Sequence, residues 1–234
     1  STYDKTDGED GYVSLEVNPN LAHETDKTIE EATRLFETVN RKNLMIKVPA
    51  TPAGIPAIRT LIGKGINVNV TLIFSLQAYS NVRQAYLLGL NDFDNIGGDL
   101  SSVASVASFF VSRVDTLVDS RLGQVDVKFE TSVKDLLGKA ATVNAKLAYQ
   151  DFKKDFYSEK FIGLKRKNAR VQRPLWASTG TKNPEYSDVL YPDSLIGNDT
   201  VNTMPDATLE SFLDHGCVAN SLTKYEGQLE EYFN

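Results

Sequence analysis

The chain has 234 residues, 41% of them hydrophobic and 24% charged, with a formal net charge of −6. That length supports one sizeable core, and one cysteine (Cys217) with two histidines of unrelated spacing (His23, His215) excludes a disulfide scaffold and a His/Cys metal centre. No apolar run approaches the roughly 18 residues that span a membrane, and no signal peptide or G-x-S-x-G turn is visible, so a cytoplasmic protein without a serine triad is expected.

Strand-like and helix-like segments alternate from the start. "GYVSLEV" (11–17) alternates apolar and polar residues, and the next segment puts Ile29, Ala32, Leu35, Phe36 and Val39 on one helical face. "LMIKVPA" (44–50) is a second strand, followed by a helix with Ile55, Ile58, Leu61 and Ile62 on its buried face and glycine as its stop signal. "INVNVTLIF" (66–74) is a third strand, backed by the helix-like "LQAYSNVRQAYLLGL". "VASVASFFVSR" (103–113) is a fourth, and a longer helical stretch runs from about Asp135 to Tyr157. "GLKRKNAR" (163–170) is the densest basic segment and reads as a solvated helix-to-strand connection, not a nucleic-acid site. "RPLWAST" (173–179) and "TVNTMP" (200–205) are the fifth and sixth strands, with Asp206 as the expected N-cap of a last helix. Glu30/Glu31 and Glu226/Glu230/Glu231 read as solvated helix faces.

Repeated strand–helix units imply parallel strands, with a site expected in the loops at their C-terminal ends. The alternation separates the two architectures this allows. Val13, Leu15 and Val17 oppose Ser14 and Glu16; Leu44, Ile46 and Val48 oppose Met45 and Lys47; Ile66, Val68, Val70 and Leu72 oppose Asn67, Asn69 and Thr71. A doubly wound sheet is covered on both faces and has near-continuous apolar strands. One aliphatic and one polar face instead indicate a barrel, with the polar face inside.

Glu16, Lys47, Asn69 and Thr71 then converge on one pocket. Taken alone, Lys47 also reads as a lysine snorkelling from a strand end, and Glu16 as an exposed edge carboxylate. Together those readings weaken, because both need the polar face to be solvent. Desolvation favours a neutral amine, and a neutral lysine attacks carbonyl carbon to form a Schiff base. Glu16 can shuttle protons through a water that Thr71 holds.

Five ordered segments, "DGYVSLEVNPNLAHET", "LMIKVPATPAGIPAI", "GINVNVTLIFS", "SVASFFVSRVDTLVD" and "PLWASTGTKNPEYSDVLYPDSLIG…DTVNTMP", resemble the transaldolases, in their longer bacterial and plant-type branch. The resemblance implies an α/β fold, a (β/α)8 TIM barrel of the class I aldolase type, with about six of its eight strands in this chain. It implies Lys47 as the Schiff-base lysine, Glu16 and Thr71 as the pair that handles the catalytic water, and Asn69 and Ser108 as contacts to substrate hydroxyls. Arg113 and Ser178 resemble phosphate contacts, with Lys182 as an assistant. The implied reaction moves a dihydroxyacetone unit from sedoheptulose 7-phosphate to glyceraldehyde 3-phosphate, giving erythrose 4-phosphate and fructose 6-phosphate. The partners implied are sugar phosphates, with no nucleic acid and no membrane, and a homodimer is compatible. No metal or organic cofactor is implied.

Two strands of that family, one with an aspartate acting at carbon–carbon cleavage and one with a substrate-binding asparagine, have no counterpart here. The segment "YEGQLEEYFN" stops short of the family's closing helices. Residues 1–234 are therefore expected to be one incomplete TIM-barrel catalytic domain, a fragment with impaired cleavage. An aldolase that releases dihydroxyacetone and an inactive phosphosugar-binding barrel are the alternatives.

Overall fold

In the computed structural model, the order of strands across the sheet is the order of strands in the chain. β1 (Val13–Glu16), β2 (Leu44–Pro49), β3 (Val68–Ile73), β4 (Ser105–Phe110), β5 (Gln172–Ala177) and β6 (Val201–Asn202) form one sheet in the sequence β1-β2-β3-β4-β5-β6. The β1·β2, β2·β3 and β5·β6 pairs are parallel. A doubly wound sheet reverses its order at a switch point, whereas a barrel winds in one direction. The fold is α/β with the topology of the (β/α)8 barrel class, and the described residues supply six strands of it. The structure describes residues 1–124 and 135–224, so Glu226, Glu230 and Glu231 lie outside the described residues.

The helices among the described residues are α1 (Thr2–Lys5), α2 (Thr25–Val39), α3 (Gly54–Gly63), α4 (Leu76–Asn95), α5 (Ser112–Leu122), α6 (Ala140–Phe156), α7 (Glu159–Lys165), α8 (Leu190–Ser194) and α9 (Asp206–His215). The chain divides into two compact units. One is made of Ser1–Ile73, Gln77–Ser108 and Phe152–Arg173; the other lies within Phe74–Leu76, Phe109–Asp151 and Pro174–Asn234.

In the first unit the aliphatic faces of β2 and β3 are sealed: Ile46, Val48, Val68 and Val70 are each 0% exposed. Opposite them, α3 buries Gly54, Ala57, Ile58, Leu61 and Ile62, an i, i+3, i+4 stripe that makes one helical face apolar. Helix α2 stops at Asn40, whose φ of 47° is the left-handed cap conformation that asparagine tolerates. After α3 the chain turns at Gly65 (φ +77°), where a Cβ would also strike the Phe93 ring, which is why the expected glycine stop is a glycine. The basic 163–170 segment is the end of α7 and the turn into β5, with Lys165, Arg166 and Lys167 exposed, as the charge pattern indicated.

Four expectations need correction. Val13 and Leu15, placed on a covered face, are 61% and 37% exposed, because β1 is the first strand of the sheet order; only Val17, at 2%, is buried. Leu72 leaves the aliphatic row: at φ 60° the backbone flips, the side chain is 48% exposed, and Ile73 is buried in its stead. The fourth strand ends at Phe110, not Arg113, since α5 begins at Ser112. Asp206 is the first helical residue of α9 and Pro205 is its cap; there the carboxylate meets the positive end of the helix dipole instead of capping an N–H.

Candidate active site

The polar face of β1–β3 brings four of the expected site residues into adjacent positions. The parallel register sets Glu16 opposite Lys47 and Lys47 opposite Asn69, so the three side chains stand in one row across three strands. Thr71 follows two residues on, opposite Pro49. The Lys47 ammonium lies 3.7 Å from Glu16 Oε1, with the two side chains 31% and 58% exposed. Lys47 is therefore a partly hydrated, ion-paired lysine and not the dry amine that an enclosed barrel would hold. Such a pair contributes at most about 1 kcal/mol to folding, so stability alone is a weak reason for a lysine at this position.

Asn69 is 6% exposed, and both ends of its amide are fixed. Its nitrogen donates to Ser14 Oγ at 2.9 Å, and its oxygen accepts from Ser108 Oγ at 2.7 Å. Ser108 thus joins the row from β4. Thr71 is 1% exposed, and its hydroxyl has no hydrogen-bond partner among the described residues. A buried orphan hydroxyl costs about 1–3 kcal/mol.

The second unit holds the other three residues. Val111 and Ser112 donate their backbone N–H groups to the carbonyls of Ala177 (2.9 Å) and Ser178 (3.0 Å), which lays the start of α5 along the end of β5. The Ser112 and Ser178 hydroxyls meet at 2.9 Å. Ser178 takes φ 57°, a left-handed conformation that costs a non-glycine residue on the order of 1–3 kcal/mol. Arg113, next to Ser112, is exposed, with its guanidinium 5.6 Å from the centre of the Phe110 ring. Lys182 is exposed on the loop after Ser178.

The match to known proteins extends over the whole chain: the family model described as "Transaldolase/Fructose-6-phosphate aldolase" matches residues 2–234. The chain belongs to that family. It is 52% identical over 233 residues to a "Transaldolase" of Mycolicibacterium smegmatis, covering 99% of this chain and 62% of the relative. Over 234 residues it is 50% identical to a "Transaldolase" of Mycobacterium ulcerans, again 99% of this chain and 62% of the relative. A "Transaldolase 2" of Nostoc sp. is 50% identical over 224 residues, 93% of this chain and 59% of the relative. The chain therefore spans about three fifths of the length of these curated relatives.

Within this transaldolase/aldolase family chain, sequence reasoning missed two serines. Ser14 was visible as a polar residue of the same period-two face as Glu16, but nothing local ties it to Asn69, 55 residues away. Ser112 follows a strand-like run, so the sequence does not show its place at the first turn of α5, against Ser178. No helix among the described residues is long and apolar enough to cross a membrane.

Proposed function

We propose that this chain carries the core of a transaldolase, which transfers a dihydroxyacetone unit between sugar phosphates through a Schiff base on Lys47. The observation that carries this reading is the row Glu16, Lys47 and Asn69, with the carboxylate 3.7 Å from the amine, in a chain about half identical to proteins named transaldolase. Glu16 takes a proton from the Lys47 ammonium, and the free amine attacks the ketose carbonyl carbon to give a carbinolamine. Loss of its hydroxyl as water, with protons relayed through Glu16 and a water on the Thr71 hydroxyl, leaves a protonated imine. That cation takes the electrons of the breaking carbon–carbon bond while the hydroxyl on the departing carbon gives its proton to water, so the aldose leaves as an aldehyde and the enamine remains for an acceptor aldehyde. Asn69, its amide fixed by Ser14 and Ser108, presents a set pattern to substrate hydroxyls. Arg113, Ser178 and Lys182 take the phosphate; Arg113 offers a bidentate fork in the first turn of α5, where the helix dipole favours an anion.

We read residues 1–234 as part of one catalytic barrel domain, working in the cytoplasm, where its phosphorylated substrates occur. The family model also names fructose-6-phosphate aldolase, which supports release of free dihydroxyacetone as the second reading. Product analysis with and without an acceptor aldehyde phosphate separates the two.

The direct test is borohydride reduction in the presence of fructose 6-phosphate, followed by peptide mass mapping. A dihydroxyacetone adduct on Lys47 is expected. A folded chain with no adduct, or with the adduct on another lysine, overturns the assignment.

Thr71→Val gives a second prediction. The hydroxyl bonds to no group among the described residues, so its removal takes no bond from them and can stabilise the fold by up to about 1 kcal/mol. The imine-forming step is expected to slow by on the order of 100-fold, with a melting temperature equal to or above that of the parent. A lower melting temperature would make Thr71 a structural residue.

A further inference from the structure

Helix α5 carries two carboxylates that the proposed chemistry does not use. Asp115 and Asp119 are one helical turn apart and therefore share a face. Asp115 is 1% exposed; its Oδ2 accepts from the Tyr191 hydroxyl at 2.8 Å and its Oδ1 from the Ala141 backbone N–H at 2.7 Å. Asp119 repeats the pattern a turn later, with Oδ2 accepting from the Tyr186 hydroxyl at 2.9 Å and Oδ1 from the Gly138 N–H at 3.1 Å. Gly138 has φ +69°, and a Cβ there would stand 3.0 Å from the Tyr186 ring, so tyrosine and backbone are in close contact.

Both tyrosines belong to the segment between Ser178 and Tyr191, the stretch that holds Ser178 and Lys182. That segment is fixed to α5 at three successive levels: Ser178 at Ser112, Tyr191 at Asp115 and Tyr186 at Asp119. Between them Thr181 Oγ1 donates to the Ser187 carbonyl at 2.8 Å and closes the loop on itself. A buried carboxylate is an inefficient way to add stability, since desolvation offsets much of what its bonds return. Burial pushes the Asp115 carboxyl above the usual carboxylate range, and burial together with the Asp119 bond raises the Tyr186 phenol to about 12. What directional bonds at three levels do provide is a single position for the loop relative to the helix that carries Arg113.

From this geometry, and resting on the proposal that Arg113, Ser178 and Lys182 hold the substrate phosphate, we infer that Asp115 and Asp119 are positioning residues. Through Tyr191 and Tyr186 they set where the phosphate-binding loop stands against Arg113. The chemistry at Lys47 does not pass through them.

The test compares a phosphate readout with a phosphate-free one. Tyr186→Phe and the Tyr186→Phe/Tyr191→Phe pair remove the hydroxyls and keep the rings. Competition by inorganic phosphate reports the grip, and borohydride labelling of Lys47 by unphosphorylated dihydroxyacetone reports the rest of the site. The double variant is expected to weaken phosphate by about tenfold and leave the dihydroxyacetone labelling unchanged. Phosphate affinity equal to the parent's in a folded variant overturns the inference, as does equal loss of both readouts, which would make the pairs general scaffold. Arg113→Ala separates this from the underlying reading. If it leaves phosphate affinity unchanged, the phosphate assignment itself fails and the inference falls with it. If it abolishes phosphate affinity while the tyrosine variants keep theirs, only the positioning role is wrong. Should the double variant not fold, Tyr186→Phe, at the less buried of the two rings, gives the same comparison.

Discussion

Lys47→Arg is expected to eliminate the borohydride-trapped adduct and to lower turnover by at least about a thousandfold, with little change in stability. Arginine keeps the positive charge opposite Glu16 and a long aliphatic stem, so the row across β1–β3 retains its electrostatics. It cannot keep the chemistry, because a guanidinium does not give up its proton in a protein and is no nucleophile. The small folding effect follows from exposure: with side chains 31% and 58% exposed, the Lys47–Glu16 pair is partly hydrated. Altering it moves the folding free energy by less than about 1 kcal/mol. Activity and melting temperature together decide the outcome. Lost activity in a stable variant assigns the lysine to catalysis. A collapse of the melting temperature would make Lys47 a structural residue, and residual turnover near the parent's would mean that another amine forms the imine.

The contrast between what could and could not be read from the sequence has a physical basis in this part of the chain. In β2 and β3 the alternation was legible because each residue's environment is fixed by its parity. Ile46, Val48, Val68 and Val70 are fully buried on the helix side, and Asn67, Asn69 and Thr71 stand on the other. Parity fails at Leu72, since a positive φ in a leucine leaves no composition signal. It also fails at the β4–α5 junction. Phe109, Phe110 and Val111 keep a strand-like appearance up to the helix, and the cap Val111 supplies no side-chain hydrogen bond to mark the start.

The polar partnerships were unreadable for a different reason. Glu16 and Lys47 lie on adjacent parallel strands, so a register guess can pair them. Ser112 and Ser178 are 66 residues apart, Asp119 and Tyr186 are 67, and Asp115 and Tyr191 are 76. Nothing in local propensity couples residues at such separations; only the tertiary fold does. The sequence pattern singles out neither carboxylate on α5, although Asp115 is almost fully buried.

Trp176→Ala is expected to produce the largest stability loss of any single truncation in the second unit, about 3–5 kcal/mol. The side chain is 0% exposed and meets the Phe109 ring edge-to-face at 6.2 Å, so truncation leaves a cavity as well as losing buried surface. The indole Nε1 has no hydrogen-bond partner among the described residues. Trp176→Phe therefore removes no bond, keeps an aromatic surface for Phe109, and is expected to cost about 1–2 kcal/mol. If the N–H were bonded, phenylalanine would leave a buried acceptor unsatisfied and the two variants would be closer in cost. Urea unfolding distinguishes these, since at a slope of about 2 kcal/mol per molar the alanine variant shifts the midpoint by roughly 2 M. A functional consequence follows from the position of Trp176 on β5. Its carbonyl accepts from Thr203 N–H at 3.1 Å, it pairs in register with Asn202, and Ser178 is two residues on. Loosening that strand end relaxes the strained backbone at Ser178, so in the surviving folded fraction phosphate affinity should fall while dihydroxyacetone labelling of Lys47 persists. Equal loss of both would mean that the two groups of site residues respond as one to damage at β5.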